Sequence, residues 1–186
     1  WSYEALAVEQ FKNNRYERVF FPYEMEISRN VWYAGYLIPI LDGYLQECRK
    51  TKTSNDSFKD NFMKIKNYME EMLNVGNYKE PENLTEALGA ESPDSSTFGI
   101  IEKYLVSLAY EFNLRQRHSI TLKDSLYQAI ATNKIDSEKL DRLKMDYYNQ
   151  GLAAFVLNGD LKDKSVEKPK RIIRKYDPVF MPPTTN

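Results

Sequence analysis

Histidine and cysteine, the residues that most often carry acid–base, nucleophilic or zinc chemistry, occur once each in this chain of 186 residues. One histidine and one cysteine cannot build a tetrahedral zinc site without several carboxylates, and their spacing indicates no such site. His118 is predicted to occupy a solvated position at a helix boundary rather than a catalytic one. Cys48 falls on the apolar stripe of a helix, which favours core packing over nucleophilic chemistry.

Sequence motifs that cradle phosphates or activate a serine are missing from the chain. It has no G-x-x-x-x-G-K-[ST] loop, no G-x-G-x-x-G turn and no G-x-S-x-G elbow, so we expect no cofactor. The 27 Asp and Glu residues would permit a carboxylate pair of the glycosidase kind. They cluster as on solvated helix faces, for example at Glu70-Glu71. The residues therefore predict no catalytic site, no metal site and no enzymatic activity. A carboxylate-based hydrolase is the weakest of three hypotheses for the function, and the other two are a transporter domain and a free-standing interaction domain.

Composition limits the class of protein further. The formal net charge of −1 excludes strong electrostatic attraction to nucleic acid. Hydrophobic residues make up 42% of the chain, as in folded domains, and only 7 Gly and 8 Pro argue against an all-β fold. No signal peptide or membrane span is recognisable. Because the chain starts in mid-motif, we expect it to be a piece of a longer protein.

Apolar residues recur at spacings of three and four, the pattern of amphipathic helices. One stripe contains Phe58, Phe62, Ile65, Met69 and Met72, and another contains Phe98, Ile101, Leu105, Leu108 and Phe112. A third contains Ala34, Leu37, Leu41, Tyr44 and Cys48, in a helix that Pro39 either kinks or divides. The predicted core comprises Leu37, Leu41, Ile65, Met69, Ile101, Leu105, Leu108, Leu143 and Tyr147.

Shorter signals complete the predicted architecture. A separate helix through Leu122, Leu126, Ala129 and Ile130 is predicted to begin with Thr121 and Asp124 as a capping box. A last helix runs from about Asp136 to Leu157. Pro22 marks a connection, and the polar stretch 77–96 holds one helical turn after Asn83, capped by Glu86. These elements predict an all-α fold, an irregular bundle of five to six main helices with an extended C-terminal arm and no sheet larger than two short strands.

Three tyrosines, Tyr33, Tyr36 and Tyr44, approximate one face of the second helix. Packing between helices, with the hydroxyls reaching the rim, is the favoured interpretation. An aromatic surface that touches a partner or a lipid headgroup is the alternative.

The opening stretch WSYEALAVEQF is apolar around most of a helix circumference, whereas a surface helix normally has one polar face. It resembles the short re-entrant helix that follows the fifth membrane helix in ABC transporters of the White/pigment type, the G subfamily. The residues that match the pattern are Trp1, Tyr3, Glu4, Ala5, Leu6 and Phe11. Relatives carry Asn-Glu where this chain has Glu9-Gln10. The continuation FFPYEMEIS is similar to bacterial relatives with a long insert.

The resemblance implies an extracytoplasmic, periplasmic domain inserted between the last two membrane helices of an ABC-2 type permease. It implies a membrane-proximal helix over 1–13, a helical domain over 14–159 and an extended basic arm over 160–186 that returns towards the bilayer. The membrane-proximal residues would be Trp1, Tyr3, Glu4, Leu6 and Phe11. The residues placed to meet lipid phosphates would be Lys170, Arg171, Arg174 and Lys175.

The implied partners are the rest of the transporter chain and the membrane surface, with the full transporter a candidate homodimer. Any ATPase domain would lie elsewhere in the longer chain, and this part would cap the outer cavity, steer release or contact an envelope component. The two ends of the folded part, near Phe11 and around Val179–Met181, are expected on one side. The alternative is a free-standing helical protein-interaction domain. Apolar runs of about 20 residues on both sides of these 186 residues would favour the transporter hypothesis over this alternative.

Since the chain has no phosphate-cradling loop, we expect magnesium-ATP to leave its thermal unfolding midpoint unchanged. The measurement is a thermal melt with and without nucleotide. A saturable, magnesium-dependent rise of the midpoint would contradict the prediction.

Overall fold

The computed structural model describes residues 14–51, 53–76, 83–90, 93–132, 134–147, 165–168 and 171–174. Within these ranges the chain is helical apart from one pair of short strands, which confirms the predicted all-α class. The helices are α1 (Glu17–Trp32), α2 (Ile38–Lys50), α3 (Asp56–Gly76), α4 (Leu84–Gly89), α5 (Ser95–Thr132) and α6 (Lys134–Tyr147). The strands are β1 (Ser165–Lys168) and β2 (Arg171–Arg174).

The chain divides into two compact units. The first unit comprises Trp1–Val31, Leu114–Lys164 and Arg174–Asn186. The second unit comprises Trp32–Asn113 and Ser165–Ile173. The first unit therefore holds most of α1, the second half of α5 and α6, whereas the second unit holds α2, α3, α4 and the first half of α5.

The core of the second unit is formed by the stripes that the sequence predicts. Seven of the predicted core residues are at most 2% exposed: Leu37, Leu41, Ile65, Met69, Ile101, Leu105 and Leu108. Tyr33 stacks on Phe112 with ring centroids 4.6 Å apart, and Arg49 pairs with Glu102 at 2.6 Å. Helices α2, α3 and α5 thus share one apolar cluster, and most of the stabilisation comes from removing these side chains from water.

A π-helical segment, Tyr33–Leu37, joins α1 to α2 without a break. The backbone N–H of Ile38 donates to the carbonyl of Tyr33, five residues earlier. Pro39 follows immediately; it has no N–H to donate, and in a regular helix its ring would press on the carbonyl of Gly35. The wider turn accommodates the proline, so Pro39 does not divide the helix.

The polar stretch after α3 contains the single predicted turn of helix, α4. Its apolar side chains are buried, namely Leu84, Ala87 and Leu88. The predicted cap is wrong, because Asn83 adopts a left-handed conformation with φ of 70° and its side chain makes no capping hydrogen bond. Burial of the apolar side chains, rather than capping by Glu86, therefore holds this turn in place.

In the first unit, α1 begins at a side-chain cap. The Oδ1 atom of Asn14 accepts the backbone N–H groups of Tyr16 at 2.9 Å and Glu17 at 2.7 Å. Pro22 lies inside α1, so the predicted connection at this proline is wrong. Both Pro22 and Arg18 are exposed, so water can replace the hydrogen bond that the carbonyl of Arg18 loses.

Helix α5 continues through the boundary that the sequence predicts at Thr121. The capping box there is wrong, because the Thr121 hydroxyl instead donates to the carbonyl of Arg117, one turn earlier, at 3.0 Å. The predicted stripe is also only partly buried, since Leu122 is exposed. In α6, Leu140 is buried, whereas Leu143 and Tyr147 are half-buried rather than core residues.

The predicted extended arm contains a two-stranded sheet formed by β1 and β2. Ile172 of β2 is 4% exposed and belongs to the apolar cluster of the second unit. The Tyr68 hydroxyl on α3 donates to the carbonyl of Ile172 at 2.6 Å and accepts the Ile172 N–H at 2.7 Å. One phenol therefore satisfies both main-chain groups of a buried residue.

Replacing Tyr68 by phenylalanine should lower the free energy of unfolding by about 2 kcal/mol, because two buried backbone groups lose their partner. Chemical denaturation with a common slope measures the change. Tyr110→Phe is the matched control, since Tyr110 is 63% exposed and its hydroxyl deletion should cost less than about 0.5 kcal/mol. Equal stability of the two variants would contradict the prediction.

Candidate functional site

A pocket of about 330 Å³ lies in the first unit. Its wall is formed by Glu26 from α1 and by Leu114, Arg115, His118 and Ser119 from α5. The volume is at the small end of the range of ~300–1,000 Å³ that is usual for ligand pockets. One carboxylate, one guanidinium, one imidazole and one hydroxyl thus meet around a leucine side chain.

Helix periodicity explains why α5 supplies most of this wall. Residues at i, i+3 and i+4 share one face, and Arg115, His118 and Ser119 have this spacing. His118 is exposed, which confirms its predicted solvation. Its predicted place at a helix boundary is wrong, because α5 extends well beyond it in both directions.

Ser119 is the most buried polar residue of the pocket, with 9% of its surface exposed. Serine and threonine hydroxyls inside helices commonly donate to the carbonyl one turn earlier, as Thr121 does on the same helix. Within the described part of the chain, neither the Ser119 hydroxyl nor the His118 ring makes a hydrogen bond. Both groups therefore have unused hydrogen-bonding capacity.

The opposite wall carries a partly neutralised negative charge. Glu26 Oε2 pairs with Arg29 Nη2 at 2.7 Å, one turn along α1. The Nε atom of Arg29 is buried and has no hydrogen-bond partner among the described residues. Arg115 lies on the α5 side of the pocket and has an interaction of its own.

A second ionisable cluster surrounds Glu17 at the start of α1. Glu17 is 7% exposed. Burial first, and then the carboxylate of Glu24, raise the pKa of Glu17 to about 7, against the lowering effect of Lys123 and Lys144. Lys123 pairs with Glu24 at 2.6 Å. The folded chain therefore holds a proton on Glu17 at a pH where an exposed glutamate has lost it.

Cys48 lies where the sequence places it, on the buried stripe of α2 with 2% of its surface exposed. Burial, and then the charge of Glu47, raise the pKa of the Cys48 thiol to about 11. The thiol is therefore protonated and unreactive near neutral pH. Among the described residues, no three His, Cys, Asp or Glu side chains are grouped as metal ligands would be.

The predicted aromatic face of α2 is divided by the structure. Tyr33 and Tyr44 are buried, in agreement with packing. Tyr36 is 37% exposed and stacks on Trp32, with ring centroids 6.1 Å apart. Tyr36 therefore does not share the buried face of Tyr33 and Tyr44.

Most of the predicted membrane-proximal and lipid-contacting residues lie outside the described residues: Trp1, Tyr3, Glu4, Leu6, Phe11, Lys170 and Lys175, together with Val179–Met181. Arg171 is exposed on β2. Arg174 is half-buried, and its Nη2 atom donates to the carbonyl of Ser28 at 3.0 Å and to the Ser28 hydroxyl at 2.8 Å. The Nη2 atom of this guanidinium is therefore hydrogen-bonded to α1.

Comparisons of the chain with protein-family models, with curated proteins and with solved structures found no match. None of the helices in the described ranges combines the length and the apolar character that crossing a bilayer requires.

The sequence predicts a solvated position for His118 and assigns no site to it or to its neighbours in the pocket. The spacing of Arg115, His118 and Ser119 on one helix face was the available signal. The predicted helix boundary at Thr121 obscures this signal. The position of Glu26 could not be found from the sequence, since it depends on how α1 packs against α5.

The raised pKa of Glu17 predicts that the free energy of unfolding falls as the pH rises from about 4.5 to about 7. The folded chain binds the Glu17 proton more tightly than the unfolded chain, so the sign is a loss of stability on deprotonation, of about 1–3 kcal/mol. Glu17→Gln should flatten this slope, measured by denaturation at several pH values. Glu138→Gln, an exposed control on α6, should keep it, and equal slopes in both variants would contradict the prediction.

Proposed function

We propose that this chain is a non-enzymatic extracytoplasmic domain of an ABC-2 type transporter permease, inserted between two membrane helices. The support from the sequence is the resemblance of Trp1–Phe11 to the re-entrant helix of White/pigment-type transporters. In this role the domain caps the outer cavity or contacts an envelope partner or the substrate, while the ATPase lies elsewhere in the longer chain.

The observation that carries the proposal is the contact between Arg174 and Ser28. Both residues belong to the first unit, and the Arg174 guanidinium makes two hydrogen bonds to Ser28. The last described strand thus ends beside Ser28 in the C-terminal half of α1, about 17 Å along the helix from its first residue, Glu17. Domains whose two ends lie close together are the ones that insert readily into another protein. A loop domain that joins two membrane helices needs its two ends on one side, and a last strand that returns to α1 supports such a path.

The surface of the first unit is compatible with contacts to the rest of a transporter. Large apolar side chains are exposed on each helix that the structure describes in this unit, among them Met25, Leu122, Tyr127 and Met145. Single exposed apolar residues are common in any protein, so these four side chains support the proposal only together with the resemblance.

A free-standing helical protein-interaction domain is the second candidate. The observation that favours it is a pair of apolar side chains one turn apart on α5 in the second unit. Val106 is 66% exposed and Tyr110 is 63% exposed, and aromatic side chains presented in this way are typical of protein interfaces.

Labelling of an introduced cysteine distinguishes the two candidates. Met145 on α6 is 77% exposed, so Met145→Cys creates an accessible thiol, whereas the native Cys48 is buried and protonated. In bacterial cells that express the full-length protein, a membrane-impermeant maleimide should label Met145→Cys to the same extent before and after lysis.

The control is the full-length protein without the Met145→Cys substitution, with any cysteine outside this segment replaced by serine in both proteins. It should stay unlabelled in both conditions, because Cys48 is buried and protonated. Labelling of Met145→Cys only after lysis would place the domain on the cytoplasmic side and overturn the transporter proposal. Recovery of the full-length protein in the soluble fraction would overturn it as well and would favour the free-standing domain.

A further inference from the structure

We propose that the outer edge of β1, Ser165–Lys168, is a docking site for an extended acidic segment of a partner protein, which adds to the two-stranded sheet as a third strand. The main chain of the partner would bond to the main chain of β1, and its acidic side chains would lie beside the basic ones of this region. The proposal holds whether or not the chain belongs to a transporter.

The two edges of the sheet differ in how they are covered. On β2, the Tyr68 hydroxyl bonds to both main-chain groups of Ile172, whose side chain is buried. Helix α3 therefore closes the outer edge of β2 at this position. On β1, the structure describes a neighbouring strand on one side only, and three of the four residues of β1 are exposed. An exposed strand edge is a template for a further strand.

The direction of the main-chain groups on β1 follows from β2. Only two residues separate the strands, so they run antiparallel. In such a pair, alternate residues direct their N–H and C=O groups towards the neighbouring strand and away from it. Those of Ile172 point away, towards Tyr68, and two four-residue strands with this connection place Glu167 opposite Ile172. The N–H and C=O groups of Glu167 therefore point outwards, and no described residue bonds to them.

The exposed face of the sheet offers apolar contacts to the added strand. Val166 and Ile173 are both exposed, and the same register places them opposite each other. Side chains at every second position of a strand share one face, so the partner residue opposite Val166 packs beside this pair. An apolar residue at that position of the partner would therefore extend the apolar strip across three strands.

Charge decides which kind of segment fits. The stretch 162–175 contains seven Lys and Arg residues and two Asp and Glu residues. Lys168, at the end of β1, is exposed and shares the face of Val166. A second copy of the chain would bring two such basic stretches together, which is unfavourable, and lysine on an edge strand commonly prevents self-pairing. An acidic segment has the complementary charge.

The probe that tests the proposal is the peptide Glu-Thr-Val-Thr-Glu, capped at both ends and labelled with fluorescein. In the antiparallel orientation its valine lies opposite Val166, one glutamate lies opposite Lys168, and both threonines direct their N–H groups to β1. We expect it to bind the full-length protein saturably, with a Kd on the order of 100 μM by fluorescence anisotropy. Methylation of both threonine nitrogens should raise the Kd at least about tenfold, because two main-chain hydrogen bonds are lost.

Variants at Glu167 separate the main chain from the side chain. Glu167→Pro removes one outward N–H donor without removing a bond between β1 and β2, so it should raise the Kd at least about fivefold. Glu167→Thr loses the same carboxylate and keeps the donor, so it should bind the peptide at least as tightly as the unmodified protein. The methylated peptide makes the same test on the partner side, with the protein unchanged.

A second pair of variants tests the contribution of charge. Lys168→Glu should raise the Kd about fivefold, because an attraction becomes a repulsion. Lys103→Glu, at an exposed position of α5 in the same unit, should change it less than about twofold. The peptide Lys-Thr-Val-Thr-Lys should bind the unmodified protein at least about tenfold more weakly than the acidic peptide.

The proposal is wrong if the methylated peptide binds as tightly as its parent, because charge alone then attracts the probe, as it would at a membrane surface. It is also wrong if Glu167→Pro and Glu167→Thr give the same Kd. A dimer of the protein that Glu167→Pro dissociates and Glu167→Thr does not would assign the edge to a second copy of the chain and overturn the proposal as well.

Discussion

The core of the second unit depends on how one proline is accommodated in the middle of a continuous helical run. Pro39 can neither donate the hydrogen bond of its position nor tolerate the usual approach of the Gly35 carbonyl. The π-helical turn over Tyr33–Leu37 widens the backbone directly before the proline. As a result Tyr33 and Leu41, before and after it, both face the shared apolar cluster. A break at this position would separate Tyr33 from the stripe of α2 that packs against α3 and α5.

The predictions that succeeded rest on local periodicity. Those that failed concern where helices begin and end, and whether the apolar residues at Leu122, Leu143 and Tyr147 are buried. Stripes such as Ile101, Leu105 and Leu108 repeat with the helix period, so their common burial is readable from the chain. Pro22 and the pair Thr121 and Asp124 are chemically suited to helix boundaries, but neither position forms one. In both places the helix continues, because the stability of the whole helix in its tertiary context outweighs a weak local preference for a boundary.

The candidate site shows the same division between local and long-range information. Arg115, His118 and Ser119 share a helix face because of their spacing, and this part of the site could have been derived from the sequence. Glu26 is brought to them by the packing of α1 against α5, and the burial that raises the pKa of Glu17 has the same origin. A sequence contains no direct record of either, because both depend on contacts between residues that are far apart in the chain.

The Tyr68–Ile172 contact has a consequence for the order in which the second unit is completed. The two residues are 104 positions apart, so closing this contact costs more chain entropy than any contact within a helical hairpin. During synthesis, α2, α3 and the first half of α5 leave the ribosome well before β2 does. Until β2 arrives, the place that Ile172 fills remains an open apolar depression beside an unpaired phenol. The newly made chain therefore passes through a stage in which this depression is accessible to chaperones and to other unfinished chains.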